Sequence, residues 1–363
     1  ERAWEGFFIG AIFLTQLIQN FFVFDNLNTY LLFFALLAYT HFYSRMDTED
    51  ALPRSMRSGS LSSKSIKGLS FMSALFVAFL ISGYYLHVKP IRQAKALIYT
   101  LQAYQAKVPM NALIASFEHT LSYQSIGTTE VREQIANIAR DVFVSDRFNA
   151  EEKKQFTEFT IKELQKETAH RAKDVKHLLF LGAILGRSGD INTQYVRDGE
   201  RILEEAVFLS PTKQPIYLEL AQVRLMLGDT KGAVTALKTA WDLDRSYQEA
   251  GINLWTIAIV GKYPEIVEEV RSVIPLETVG GQHLFRMGAA YQQVGDFKNM
   301  LVIYDEYVRD DPTNAQVRAT YAAIYFQLGR YDDAITQARE AARLDPAFAS
   351  DAEMFIREIK KRR

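Results

Sequence analysis

Residues 315–348 read AQVRATYAAIYFQLGRYDDAITQAREAARLDPAF. Apolar residues recur every three or four positions on either side of Gly329, which is the pattern of two amphipathic helices joined by a tight turn. Small Ala322 falls where the two helices touch. Tyr325 fills the space beside it, Gly329 and Tyr331 make the turn, and Ala334, Ala338 and Ala341 line the second helix. Pro346 punctuates the exit. Outward from this stretch the pattern repeats. Gly261, Gly295 and Gly329 are spaced by 34 residues, Gly228 lies 33 before Gly261, and Pro312 and Pro346 are again 34 apart. The preceding unit supplies Gly288, Tyr291, Gly295, Phe297, Tyr304, Tyr307 and Pro312 at the same offsets, with Met300 at a position where a small residue is expected. Tyr247–Gly280 fits through Leu254, Ile257, Gly261 and Tyr263, but lacks the small residue at the touching point and ends early at Pro275. Gln214–Tyr247 fits through Ala221, Gly228, Ala233 and Ala240. His177–Pro211 fits through Gly182, Gly189, Ala206 and Pro211, with an insertion around Asn192–Arg197.

A 34-residue helix-hairpin period resembles the tetratricopeptide repeat. Four or five such repeats are expected over 176–348, followed by a basic capping helix over 349–363 that ends FIREIKKRR. One hairpin cannot bury its own apolar face, so neighbours must stack into a solenoid. The inner face of the first helices is then the candidate groove for a protein or peptide partner. Its expected residues are Gln222, Trp255, Phe285, Gln292, Gln293, Phe326 and Gln327. Core packing is the competing reading for Trp255. With aromatic and amide groups in the groove, affinity should change little with salt. Chaperone-type receptors for peptide C-termini carry a clamp of Lys, Arg and Asn, and no basic clamp is present among these positions.

Upstream, 89–175 reads as a helical connector, with or without degenerate repeats. Its helical patterns are Ile91–Lys107, Asn111–Tyr123, Glu130–Val144 and Ala150–Ala169. Asn111 is placed to cap the second, Gly127 to end it, and Asn149-Ala-Glu-Glu reads as a capping box opening the fourth. Earlier still the chain turns apolar. Leu69–Val88, LSFMSALFVAFLISGYYLHV, has no Asp, Glu, Lys or Arg over twenty residues, about the thickness of a bilayer core at 1.5 Å per residue. Pro90 marks its exit and the first turn of a new helix. Trp4–Asn20 and Leu27–Tyr43 read as two further spans joined by Phe21–Asn28, so 1–43 is a membrane helix pair. The loop 44–68 carries Arg45, Arg54, Arg57, Lys64 and Lys67. The positive-inside rule puts it in the cytoplasm and, one crossing later, the repeats on the extracytoplasmic side. Lys89, Arg92 and Lys95 pull the other way. The expected fold is all-α, two or three transmembrane helices followed by an α-solenoid.

Gln19–Tyr39, QNFFVFDNLNTYLLFFALLAY, resembles the last pair of membrane helices in bacterial O-antigen ligase/polymerase-like proteins, many of which carry C-terminal tetratricopeptide repeats. The resemblance implies a plasma-membrane glycosyltransferase that joins glycans from a polyprenyl-diphosphate carrier. The family's catalytic Arg and His lie on a loop with no counterpart here, so no catalytic residue is carried over and this chain alone should not transfer glycans. The chain reads as cut from something longer. The alternative is a non-catalytic membrane-anchored scaffold that recruits proteins. A formal net charge of −1 gives no reason to expect nucleic acid, and the absence of cysteine excludes disulfides and zinc–thiolate sites. No phosphate-binding glycine loop, G-x-S-x-G or H-E-x-x-H occurs, and His170 and His177 are seven apart, where helical metal pairs prefer three or four. No cofactor or metal is expected.

Overall fold

The computed structural model describes residues 80–362, together with 34, 37, 38, 73, 74, 77 and 78. The chain divides into two compact units, Glu1–Ile81 and Ser82–Arg363. The expected span Trp4–Asn20 and the loop 44–68 lie outside the described residues, as do Leu27–Tyr43 apart from 34, 37 and 38, and seven residues of Leu69–Val88. Among those described, no helix is long and apolar enough to cross a membrane.

The second unit is a TPR-like solenoid, with fifteen α-helices and no strand among the described residues. Four helices come first: α1 (Lys89–Gln105), α2 (Met110–Ser122), α3 (Thr128–Val144) and α4 (Ala150–His170). Five hairpins follow, α5/α6 (Val175–Gly186, Thr193–Leu209), α7/α8 (Gln214–Met226, Thr230–Leu243) and α9/α10 (Gln248–Gly261, Pro264–Val273), then α11/α12 (Gly281–Val294, Phe297–Asp310) and α13/α14 (Ala315–Gln327, Tyr331–Leu344). The last helix, α15 (Ala349–Arg362), closes the end with Ala352 and Ile359 buried.

Pro90 does not start a fresh helix. Tyr84–Val88 wind as a π-turn, and the N–H of Lys89 donates to the carbonyl of Tyr84, so the backbone runs on into α1. Proline has no N–H and its ring crowds the carbonyl four residues back. A wider turn just before it relieves both problems. Asn111 is not the cap of α2. The helix begins one residue earlier, after Pro109, and Asn111 Oδ1 only accepts the next N–H, from Ala112. Gly127 belongs to the next helix, as the residue preceding α3. Asn149 behaves as its pattern requires: its Oδ1 accepts from Glu152 N and its own N–H donates to Glu152 Oε2, each at 3.0 Å.

Small residues set the hairpin geometry. A Cβ placed on Gly199 would lie 2.8 Å from Gly186 N and 2.9 Å from Gly182 O, so α5 and α6 meet backbone to backbone. The extra length of this hairpin lies in the turn 187–192, before the expected Asn192–Arg197 segment. At the far end Ala322, Ala338 and Ala352 form their own buried cluster.

The turns correct the repeat register. Gly228, Gly295 and Gly329 adopt the left-handed conformation with φ of +79, +75 and +73°, but in the third hairpin that residue is Lys262 (φ +60°), not Gly261. Gly261 ends α9, where a Cβ would meet Tyr263 Cε2 at 2.6 Å. It is small because a ring lies against it. Aligned on the left-handed residue, Trp255 occupies the position held by Ala221, Gly288 and Ala322 in the other repeats. It is 2 % exposed and fills the space that a small residue elsewhere leaves for the partner helix. The second helix of that hairpin is correspondingly short, ten residues, and ends at the turn containing Pro275.

Two substitutions test this packing by chemical denaturation. Gly199→Ala should destabilise by about 1–3 kcal/mol, since backbone cannot yield as a side chain does. Lys262→Gly should stabilise by about 0.5 kcal/mol through relief of the left-handed strain. A neutral Gly199→Ala, or a destabilising Lys262→Gly, would contradict the geometry.

Candidate functional site

The first helices of the hairpins line an open cleft of ≈ 590 Å³. Positions 219, 253 and 286 each stand nine residues before a left-handed turn residue, so stacking sets Glu219, Asn253 and Arg286 on successive helices as a polar ladder. Arg187, just past α5, crosses to the next hairpin. Its guanidinium is 2.7 Å from Glu219 Oε2, donates to Gln222 Oε1 at 2.9 Å and to the carbonyl of Ala183 at 3.1 Å. Arg286 donates to Asn253 Oδ1 at 2.9 Å, and the Tyr247 hydroxyl to Glu249 Oε2 at 2.6 Å. Leu218, Leu225 and Ile257 give the cleft apolar contact surface, and Arg140 of α3 reaches its edge. Held donors and acceptors beside an apolar floor suit an extended peptide, whose backbone amides and charged side chains need partners at regular intervals.

Of the seven residues expected in the groove, Gln222 lines this cleft. Phe285 stands at the offset of Leu218 and is 56 % exposed on α11. Gln292, Gln293 and Gln327 are exposed toward the C-terminal ends of their helices. Phe326 is covered instead: Phe355 of α15 lies 5.5 Å from it ring to ring, and the Arg362 guanidinium sits 5.2 Å from its centroid. Trp255 is in the core. Alignment on Gly261 pairs Trp255 with exposed Gln222; alignment on Lys262 pairs it with buried Ala221. The same shift hides the charged ladder. Glu219, Asn253 and Arg286 become legible as a set only once the turn residue is identified.

A second polar cluster lies where α3, α4 and α5 meet. Glu163 and Glu167 of α4 are buried. Arg132 binds both, with Nε 3.3 Å from Glu163 Oε2, and the Thr129 hydroxyl donates to Glu167 Oε1 at 2.8 Å. Burial alone would raise the Glu167 pKa; the hydrogen bonds from Arg132 and Thr129 and the Arg132 charge outweigh it and hold the carboxyl below its usual range. His177 is buried next to this cluster, 3.0 Å from Asp174 Oδ2 and 3.6 Å from Glu133 Oε1, whereas His170 is exposed. Among the described residues no group of three or more His, Asp or Glu is arranged to hold a metal ion.

Residues 292–356 match the tetratricopeptide repeat family. The fold is similar to several solved structures of such proteins. YrrB, described as a TPR protein with an unusual peptide-binding site, is 13% identical, covers 53% of this chain and 97% of its own, and has a TM-score of 0.37. MamA is 18% identical over 60% of this chain and 96% of its own, with a TM-score of 0.31. TTC0263, a thermophilic TPR protein of Thermus thermophilus, is 15% identical over 64% and 99%, with a TM-score of 0.35. No curated protein matches the chain by sequence. The family match thus falls within the last two hairpins and the start of the closing helix, and the earlier hairpins share their helix–turn–helix form.

The α3–α4–α5 junction should be acid-sensitive. Glu167 has a depressed pKa in the folded state, so its contribution is complete above an ordinary glutamate pKa of about 4.3 and is lost as pH falls through the folded value. Thermal midpoints measured from pH 6 to pH 3 should fall more steeply for the native chain than for Glu167→Gln. Parallel curves would contradict the assignment.

Proposed function

We propose that the array is a peptide- or protein-binding module held at a membrane surface, with the cleft on its first helices as the binding face. The observation that carries the binding part is the ladder Glu219, Asn253 and Arg286. Three consecutive hairpins present hydrogen-bonding side chains at one repeat position, in register with an extended chain. Because that ladder is charged, affinity should fall as ionic strength rises. This replaces the salt-independent binding expected from an aromatic and amide groove.

The membrane part is supported by the apolar run Leu69–Val88 and by the exposure of Tyr84, Tyr85, Leu86, Val88 and Ile91 at the start of the second unit. Contiguous exposed apolar residues of this kind mark a surface meant for lipid or for a partner. The basic loop 44–68 favours a cytoplasmic position for itself and an extracytoplasmic one for the repeats. The resemblance of Gln19–Tyr39 supports the finer reading, that the array serves an O-antigen ligase/polymerase-like membrane protein and brings its acceptor or an accessory protein close. A membrane-anchored scaffold without chemistry is the other reading. The open reading frame upstream of Glu1 separates the two: further spans and a long loop bearing Arg and His favour the ligase.

The chain has no cysteine, so cysteines introduced at Ser60 and Ser350 would report alone. In intact cells a membrane-impermeant maleimide should label position 350 and spare position 60. The reverse pattern would sink the proposed orientation, and labelling of both would sink the anchoring.

A further inference from the structure

A second cleft, of ≈ 720 Å³, opens where the second unit begins. Its rim is apolar. Tyr85 and Leu86 of the π-turn face it, and Ile126, in the loop between α2 and α3, is 74 % exposed beside them. Its interior is cationic, lined by Lys89, Arg132, Lys166 and Arg171, with Glu167 the one carboxylate among the lining residues.

Buried carboxylates fix three of these cations in place. Glu167 holds Arg132 and Arg171, and Glu163 holds Arg132 and Lys166. Lys89 makes no ion pair among the described residues; its ammonium lies 5.1 Å from the centroid of the Tyr85 ring. Three cations therefore share two carboxylates and Lys89 has none among the described residues, so positive charge is left facing the cleft. Clustered guanidinium and ammonium groups on a fixed frame are suited to phosphate oxygens, which accept several charge-assisted hydrogen bonds at once. The apolar rim adds a second requirement. A free phosphate has no use for exposed Ile126, Leu86 and Tyr85, whereas a lipid presents an anionic head joined to apolar chains. Tyr85 and Leu86 of the rim also lie at the end of the apolar run 69–88.

We propose that this cleft binds the phosphate-bearing headgroup of an anionic membrane lipid. The proposal rests on the membrane reading given above. The charge excess makes the site selective for anionic over zwitterionic headgroups, and Lys89, which has no ion pair among the described residues, and Arg171, 3.4 Å from Glu167 Oε1, supply the cations least committed to the buried glutamates.

The test uses the full chain in neutral detergent micelles and titration calorimetry with three probes: dihexanoyl-phosphatidic acid, dihexanoyl-phosphatidylcholine and inorganic phosphate. The phosphatidic acid should bind saturably, one per chain. The phosphatidylcholine, with the same acyl chains, should not, and inorganic phosphate should bind at least tenfold more weakly. The double variant Lys89→Gln/Arg171→Gln should weaken phosphatidic acid binding at least tenfold with an unchanged thermal midpoint, since Glu167 keeps Arg132 and Thr129. If that variant unfolds, the single variant Lys89→Glu should show the same loss. Equal binding of the two lipids would mean apolar partitioning and overturn the proposal. Phosphate binding as tight as phosphatidic acid would make it a soluble-anion site and overturn the lipid assignment. Unchanged affinity in folded variants would overturn the residue assignment. Flotation of the native chain with phosphatidylcholine vesicles keeps the two readings apart: flotation without phosphatidic acid binding defeats the headgroup site alone, and failure to float defeats the membrane reading as well.

Discussion

Two backbones must come close enough in each hairpin that little or no side chain fits between them. The rest of the array depends on that approach. Gly182 and Gly199 meet it with no side chain at all, Ala221 and Ala322 stand at one repeated position, and Gly288 at that position makes room for the Tyr304 ring. Close approach fixes the angle between the paired helices, and the angle is then copied from hairpin to hairpin because each apolar face can be covered only by its neighbour. One repeat breaks the rule. Trp255 stands where a small residue belongs, and its hairpin has a truncated second helix followed by a 3-10 turn over Leu276–Thr278. Gly251 makes the matching concession on the other side, where a Cβ would lie 2.9 Å from Trp241 Nε1 and 2.5 Å from Ile274 Cδ1. The two buried tryptophans are thus accommodated by one short helix and one glycine.

Equal repeats have a functional consequence. When helices stack at a constant angle, residues one period apart line up on the same face, and a surface assembled from three or four separate segments becomes continuous. Glu219, Asn253 and Arg286 illustrate this: they are far apart in sequence and adjacent in space, and Arg286 donates directly to Asn253. Arg187 does the same work across the first two hairpins through Glu219 and Gln222. Side chains of the cleft are thus held by one another before any partner arrives. Such preorganisation lowers the ordering cost of binding.

Much of this was legible in the chain. Apolar spacing located the four helices before the repeats to within two residues at most of their ends, and the small residues and tyrosines of 315–348 took the buried places their pattern assigns. The register of one repeat was not legible. Glycine is the residue expected at a left-handed turn, so Gly261 was the natural anchor, yet Lys262 accepts the strained conformation because Tyr263 requires a residue without a side chain at 261. That single-residue shift moved Trp255 from core to groove and dispersed the charged ladder. The covering of Phe326 was hidden for a different reason: the basic end 349–363 reads as a capping helix, but nothing local says that its Phe355 and Arg362 land on that ring. The Arg132 cluster was hidden because its partners lie 31 and 35 residues away, on a helix whose burial depends on α5 and not on its own sequence.

The central claim is that the first-helix cleft, in the register fixed by Lys262, is the face that meets a partner. A photo-crosslinking residue placed singly at Gln222, Asn253, Trp255 and Thr239 in the full chain tests it in living cells, since Gln222 and Asn253 line the cleft, Trp255 is buried and Thr239 is half-buried on the opposite, second-helix side. Positions 222 and 253 should give a partner adduct of the same mass, and 255 and 239 none. Adducts from position 239 with none from 222 and 253 would contradict it.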